Sequence, residues 1–80
     1  MNHVEFRLPK MAETLDSATV AVWHKHPGDR IQLGETLLEI ETDKFSYSLE
    51  SPIDGEVVEL MVLEGQEVPV GTVLAILGAA

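Results

Sequence analysis

Two stretches of the chain decide its fold: residues 18–40, ATVAVWHKHPGDRIQLGETLLEI, and residues 55–77, GEVVELMVLEGQEVPVGTVLAIL. A shift of 37 positions superposes the first on the second without a gap. The glycines and the apolar positions then coincide: Gly28 with Gly65, Gly34 with Gly71, Val20 with Val57, Ile31 with Val68, Leu33 with Val70, Leu37 with Leu74 and Ile40 with Leu77. We interpret the chain as an internal duplication, each half being strand, glycine turn, short strand, glycine turn and strand.

Apolar and polar residues alternate along four segments, which predicts half-buried β-strands. The alternation occurs in residues 4–8, 19–22, 38–41 and 46–50. Helix signals are weak, because no stretch longer than about ten residues carries a helical stripe of apolar positions. Since neither half can bury its apolar face alone, we expect the halves to pack on each other about a pseudo-two-fold axis. The expected fold is an all-β flattened barrel or sandwich.

Size and charge exclude several classes of function. The chain has 80 residues, a formal net charge of −9 and no cysteine. That length allows one domain with a thin core, which is a poor setting for a deep catalytic cavity. The negative charge argues against nucleic acid or an anionic membrane as a partner, since both require a basic face. The absence of cysteine excludes a disulfide framework, a thiolate zinc site and a cysteine nucleophile.

The segment that links the two halves contains the motif Glu41-Thr42-Asp43-Lys44. One strand ends at Ile40-Glu41 and another begins around residues 45–47, so the motif lies between two strands. Thr and Asp favour a tight turn there through hydrogen bonds from side chain to backbone. We therefore expect Lys44 on or beside an exposed hairpin tip. A lysine at a β-turn is, by itself, typical of a solubilising edge residue.

The surroundings of Lys44 give it a more specific meaning, because they resemble the lipoyl domain of 2-oxo acid dehydrogenase complexes. The motifs that carry the resemblance are Glu39-Ile40-Glu41-Thr42-Asp43-Lys44, Glu50-Ser51-Pro52-Ile53-Asp54-Gly55, Pro27-Gly28-Asp29-Arg30-Ile31, Gly34-Glu35-Thr36-Leu37-Leu38 and Glu64-Gly65-Gln66-Glu67-Val68-Pro69-Val70-Gly71. They extend over nearly the whole chain, from Phe6 to about Leu77. The resemblance implies two four-stranded antiparallel sheets in a flattened barrel, with the lysine at the tip of a hairpin.

The resemblance also implies a function. Lys44 would receive lipoic acid through an amide on its Nζ, with Glu41, Thr42, Asp43 and Phe45 as recognition residues around it. The implied role is the swinging arm of a dihydrolipoamide acyltransferase. The arm would accept an acyl group from a 2-oxo acid decarboxylase, deliver it to the acyltransferase core and be reoxidised by dihydrolipoamide dehydrogenase. A lipoate ligase or lipoyltransferase would attach it, and the isolated domain would be a monomer without catalytic residues of its own.

The chain departs from the family pattern next to the lysine. Phe45 stands where the family usually has a small residue, most often Ala, and Tyr47 and Ser48 stand where an aliphatic and an acidic residue are usual. We expect Phe45 to cover the turn rather than to pack on the lipoyl stem. The loop of residues 12–17 lies beside the lysine in the family, and here residues 16–18 lack the glycine often found at its end.

Three other functions are consistent with parts of the pattern. A biotin carrier domain of a carboxylase shares the fold, but biotin carriers normally have Met on both sides of the lysine, where this chain has Asp43 and Phe45. An unmodified β adaptor module usually lacks the hairpin lysine. The glycine cleavage H protein is also a lipoyl carrier, but it has a longer chain with additional helices.

Histidines and a serine give weaker candidates for chemistry. His24 and His26 are two residues apart and would face the same side of a strand, but a metal site needs three or four ligands, so we expect solvated side chains and no metal. Asp16 and Ser17 with one of these histidines would resemble a hydrolytic triad. No sharp glycine-flanked turn for a nucleophile supports that interpretation.

The remaining predictions concern packing, boundaries and location. Glu39 and Glu41 are expected as solvated strand residues rather than an acid–base pair, and Trp23 as a core residue. We expect the domain to occupy residues 1–77 and an Ala-rich linker to begin at residues 78–80. The pattern begins almost at Met1 with no transit peptide, which favours the bacterial cytoplasm over the mitochondrial matrix.

Overall fold

A computed structural model of the chain describes residues 2–11 and 15–80, and these form eight β-strands. The strands are β1 (His3–Arg7), β2 (Ser17–Trp23), β3 (Arg30–Ile31), β4 (Thr36–Glu41), β5 (Ser46–Glu50), β6 (Gly55–Leu60), β7 (Glu67–Pro69) and β8 (Val73–Ala79). The described part of the chain contains no helix that could cross a membrane.

The strands form two antiparallel four-stranded sheets that face each other as a flattened barrel. One sheet has the order β1-β8-β6-β3 and the other β5-β4-β2-β7. The shift of 37 positions matches β2 with β6, β3 with β7 and β4 with β8. If β5 is also matched with β1, the strand order of one sheet becomes that of the other. The structure therefore confirms the all-β fold with pseudo-two-fold symmetry. The molecule is elongated, with principal dimensions of 36 × 21 × 19 Å.

The two halves are joined by reciprocal backbone hydrogen bonds at matching positions. Gly28 donates its N–H to the carbonyl of Val57 at 2.9 Å, and Gly65 donates to the carbonyl of Val20 at 2.7 Å. Each accepting carbonyl lies at a β-bulge, one after Val20 and the other after Val57. A bulge leaves a residue out of the ladder, and its backbone can then bond elsewhere. Both glycines have positive φ, a conformation that a side chain disfavours.

The core lies between the sheets and contains side chains from both halves. Its buried apolar members are Leu8, Ala18, Val20, Trp23, Ile31, Leu37, Leu38, Ile40, Leu49, Val57, Val62, Val68, Leu74, Ala75 and Leu77. Trp23 belongs to this core, as predicted, and its Nε1–H donates to the carbonyl of Val62 at 3.1 Å.

Two apolar residues are not buried as the sequence pattern predicted. Val22 is 40% exposed, because the bulge after Val20 shifts the alternation of β2 so that Trp23 faces the core instead. Leu33 is 67% exposed, although its repeat partner Val70 is half-buried. The N–H of Val70 donates to the carbonyl of Asp16 in the long connection between β1 and β2, whereas the N–H of Leu33 donates to Asp54 in the short connection between β5 and β6.

The last strand extends beyond the boundary predicted for the domain. Gly78 pairs with His3 in β1 and with Glu56 in β6, and Ala79 pairs with Gly55. Because β8 is a central strand with neighbours on both sides, these residues are part of the sheet. Two of the three residues assigned to a linker therefore belong to the barrel.

Candidate functional site

Lys44 lies at the tip of the hairpin formed by β4 and β5, as predicted. The last pair of the ladder is Glu41 with Ser46. Beyond it, Thr42 donates its N–H to the carbonyl of Phe45 at 2.8 Å and closes a turn with Asp43 and Lys44 at its centre. Both central side chains are exposed to solvent.

The side chain of Thr42 fixes this turn. Its Oγ1 accepts a hydrogen bond from the N–H of Phe45 at 3.1 Å and lies 3.2 Å from the carbonyl of the same residue, to which it donates. The hydroxyl thus gives the N–H of Phe45 an acceptor and adds a second donor to a carbonyl that already accepts from the N–H of Thr42. Lys44 has no ion pair or hydrogen bond with any described residue, so its amine extends from a rigid turn without being held itself.

A shallow groove of about 520 Å³ runs beside the hairpin tip. Lys44 and its neighbours in the turn form one wall, and Leu15, Asp16 and Ser17 before and at the start of β2 form the other. Ser17 Oγ donates to Glu67 Oε2 at 3.0 Å and ties this wall to β7. The described end of the loop predicted beside the lysine therefore lies there, while Ala12, Glu13 and Thr14 are outside the described residues.

Two aromatic side chains stand on the lysine side of the groove. The ring centroids of Phe45 and Tyr47 are 6.1 Å apart with the planes tilted by 47°, within the range of favourable aromatic pairs. Phe45 is 60% exposed. Its backbone closes the turn while most of the residue remains open to solvent, and that Phe45 covers the turn stays a prediction.

The groove is strongly acidic. Its lining includes the carboxylates of Asp16, Glu41, Asp43 and Glu67, and Lys44 is the single cationic residue among the described residues that line it. Sequence reasoning singled out the residues of the turn but missed Tyr47 and Glu67 as part of the same surface. The repeat equates β7 with β3 but does not say which strand either pairs with, so the pairing of β7 with β2 that places Glu67 there is seen only in the structure.

The hairpin tip lies at the opposite end of the molecule from Asn2 and Ala79. Val70 donates its N–H to Asp16 beside the groove, and the adjacent Gly71 donates to Leu8 just after β1. β1 therefore ends on the hairpin side and begins at the far end, where Ala79 donates to Asn2 at 2.9 Å. Asn2 and Ala79 therefore lie away from Lys44, at the other end of β1 and β8.

The other candidates for chemistry do not come together. His24 and His26 follow β2 rather than lying within it, and the first contacts Glu39 with 2.6 Å between Nε2 and Oε2. Ser17 bonds Glu67 rather than a histidine. Within residues 2–11 and 15–80, no three His, Asp or Glu side chains are arranged to hold a metal ion.

Comparison with protein families gives one match over most of the chain. The model of the biotin and lipoyl attachment domains, described as "Biotin-requiring enzyme", matches residues 4–77. Among solved structures, the lipoyl domain of the 2-oxoglutarate dehydrogenase complex from Azotobacter vinelandii superposes with a TM-score of 0.77 at 33% identity, covering 94% of this chain and 95% of that one. A multi-domain long-chain acyl-CoA carboxylase has a TM-score of 0.80 at 22% identity, over 98% of this chain and 7% of that one, and so shares the fold.

Curated relatives with similar sequences are acyltransferase components. The acetyltransferase component of the pyruvate dehydrogenase complex of Acholeplasma laidlawii is 40% identical over 88% of this chain and 13% of its own length. The succinyltransferase component of the 2-oxoglutarate dehydrogenase complex of Staphylococcus saprophyticus is 38% identical over 92% of this chain and 18% of its own. The acetyltransferase component of the acetoin cleaving system of Bacillus subtilis is 32% identical over 96% of this chain and 19% of its own length. The chain thus spans less than a fifth of these relatives.

Proposed function

Since this chain belongs to the biotinyl/lipoyl attachment family, as a lipoyl domain of the kind found in 2-oxo acid dehydrogenase acyltransferases, we propose that lipoic acid is amide-linked to the Nζ of Lys44. The domain is a carrier, and the catalytic domain of the parent protein lies elsewhere. When attached, the dithiolane supplies the acyl-accepting and redox chemistry that connects a 2-oxo acid decarboxylase, an acyltransferase core and dihydrolipoamide dehydrogenase.

The observation that carries this proposal is the combination of a rigid turn with an exposed, unheld lysine. Thr42 fixes the backbone on which Lys44 stands, and no described residue bonds its amine. A flexible arm on a fixed anchor searches a defined volume, and this raises its effective concentration at each partner site within reach.

The surroundings of Lys44 fit the chemistry of the group. The open groove beside it leaves room for an enzyme to approach the amine, and the chain contains no cysteine whose thiol would exchange with a dithiolane. No described residue bonds the Nζ of Lys44 in a way that would remove its proton. The attaching enzyme, a lipoate ligase or lipoyltransferase, must therefore supply the base, with the domain as its passive substrate.

Intact-mass measurement after co-expression tests the proposal. The chain is produced with lipoate ligase and lipoate, and separately with biotin ligase and biotin. We expect a lipoyl mass on the wild type that is lost in Lys44→Arg and kept in Lys10→Arg, which alters another exposed lysine. A biotinyl mass alone, or a lipoyl mass that survives Lys44→Arg, would overturn the proposal and, in the first case, identify a biotin carrier.

The proposal extends to the parent protein and its location. Relatives that belong to pyruvate, 2-oxoglutarate and acetoin systems support a dihydrolipoamide acyltransferase as the parent. A monomeric state of the isolated domain and a location in the bacterial cytoplasm remain predictions. Sedimentation of the isolated domain would test the first, and fractionation of the source cells the second.

A further inference from the structure

We propose that the groove beside Lys44 is a resting site for the lipoyl group that this lysine carries, with Phe45 and Tyr47 as its apolar wall. This inference rests on the proposed function, because it requires the modified lysine. It assigns the departure of this chain from the family pattern, an aromatic residue next to the lysine, to a contact with the chain's own arm.

Phe45 is largely exposed, although it lies in a tight turn. Its backbone makes the contacts that close the turn, while 60% of the residue remains accessible to solvent. Phe45 belongs neither to the buried core nor to the side chains packed against it, so the exposed part of its ring is available to another group. It pairs with Tyr47, and both aromatic residues line the groove together with Lys44.

The groove is large enough for a small group, and the arm is attached beside it. A volume of about 520 Å³ is within the range of clefts that bind small molecules, roughly 300–1,000 Å³. Leu15, which is half-buried, gives the opposite wall apolar surface as well. Because the arm is attached to a residue of the groove itself, weak contacts suffice for partial occupancy. Sulfur atoms also make favourable contacts with aromatic rings.

Charge restricts the occupant to the attached form. Four carboxylates line the groove, from Asp16, Glu41, Asp43 and Glu67. An amide-linked lipoyl arm is neutral, so it can lie along the aromatic wall without repulsion. Free lipoate carries a carboxylate that these four side chains repel. The positive charge of unmodified Lys44 offsets only one of the four negative charges. The site therefore favours the chain's own arm over the free acid.

NMR spectroscopy of the lipoylated and unmodified ¹⁵N-labelled chain tests the inference. We expect lipoylation to shift the amide resonances of Leu15, Ser17, Thr19 and Glu67, which are far from Lys44 in sequence, and to give nuclear Overhauser contacts between the arm and the rings of Phe45 and Tyr47. Phe45→Ala should remove most of these shifts and speed reduction of the dithiolane by a small phosphine about twofold. Leu33→Ala, which alters an exposed apolar residue outside the groove lining, should change neither.

The outcomes separate this inference from the proposed function. Absence of the lipoyl mass on Lys44 overturns both. A lipoyl mass with shifts confined to residues 42–46, or with shifts and reduction rates that are the same in Phe45→Ala, overturns only the resting site. Free lipoate can also be added to the unmodified chain. If micromolar lipoate then produces the same shifts as lipoylation, the resting site is overturned, because the groove would not require the attached arm.

Discussion

At the scale of single residues, Thr42 fixes the turn and Lys44 supplies the free side chain. A carrier needs a fixed anchor and a free arm. Thr42 bonds both backbone groups of Phe45 through its hydroxyl, and Lys44 stands next to it with no described partner. The anchor is therefore built from a short side chain that folds back on the backbone, and the arm from a long one that does not.

Removing the hydroxyl of Thr42 should loosen the turn without unfolding the barrel. In Thr42→Ala, the N–H of Phe45 loses its acceptor at 3.1 Å. We expect amide hydrogen exchange at Phe45 to become about fivefold faster, the equivalent of a hydrogen bond of about 1 kcal/mol. Thr42→Ser keeps the hydroxyl and should stay close to the wild type. Equal exchange at Phe45 in all three proteins would show that the side chain does not hold the turn.

The sequence predicted the place of Lys44 but not the behaviour of its neighbour. Turn-forming residues between two alternating segments were sufficient to place the lysine at a hairpin tip. The exposure of Phe45 and its pairing with Tyr47 depend on which way each ring turns after the strands have paired. Spacing along the chain carries no information about that.

At the scale of strands, contacts between the two halves account for the bulges in β2 and β6. The bulges after Val20 and Val57 present carbonyls that accept hydrogen bonds from Gly65 and Gly28 in the opposite half. The repeat of glycines and apolar residues predicted the two halves and their symmetry. It did not predict the bulges, because they arise from contacts between the halves, and Val22 consequently faced solvent instead of the core.

Two glycine substitutions should separate close packing from backbone strain. A Cβ at Gly55 would collide with the backbone carbonyl of Gly78 in β8, so Gly55→Ala should lower the free energy of unfolding by more than about 3 kcal/mol. A Cβ at Gly28 meets no atom within 4 Å but takes a φ of 93°, so Gly28→Ala should cost only about 1 kcal/mol. Urea unfolding measures both.

The reverse order of these two costs would contradict the packing of β6 against β8. A cost of less than about 1 kcal/mol for Gly55→Ala would do so as well, because a collision with backbone cannot be relieved by turning a side chain.

The turn before β4 should contribute a small acid-sensitive term to stability. The hydrogen bond from Lys25 Nζ at 2.8 Å, and that from the N–H of Gln32, lower the pKa of Glu35 below its ordinary value of 4.5. A lowered pKa means that the stabilisation is present above about pH 4.5 and is lost as the pH falls through the native pKa.

Substitution of Glu35 should therefore matter at neutral pH and not in acid. We expect the difference in unfolding free energy between the wild type and Glu35→Gln to be largest near pH 7 and to approach zero below the native pKa. Denaturant unfolding at a series of pH values measures it. A difference that is constant or grows toward acid would contradict the ion pair between Lys25 and Glu35.

At the scale of the whole molecule, charge and shape suit a domain that moves between partners. The formal net charge is −9, and four carboxylates surround the lysine at one end of a barrel 36 Å long. Asn2 and Ala79 lie at the other end. Composition alone predicted the acidic character but not its position, because the groove contains residues from three segments of the chain that meet only in the folded barrel.

The acidic end should steer encounters with a decarboxylase that has a basic rim around its active site. Opposite charges accelerate association, and salt screens them over about 10 Å at 0.1 M ionic strength. We expect the rate of acylation of the lipoylated chain to fall several-fold between about 0.05 and about 0.5 M salt. The double substitution Asp43→Asn and Glu67→Gln should flatten that dependence. A rate insensitive to salt would remove steering as a role of this surface.

The central claim is that this domain carries acyl groups on Lys44, and reductive acylation tests it most directly. The lipoylated chain is incubated with the decarboxylase component of a pyruvate, a 2-oxoglutarate or an acetoin system and its substrate, and the mass of the chain is then measured. We predict an acyl adduct with at least one of the three and none on Lys44→Arg. A fully lipoylated chain that none of them acylates, or an equal adduct on Lys44→Arg, would contradict the account.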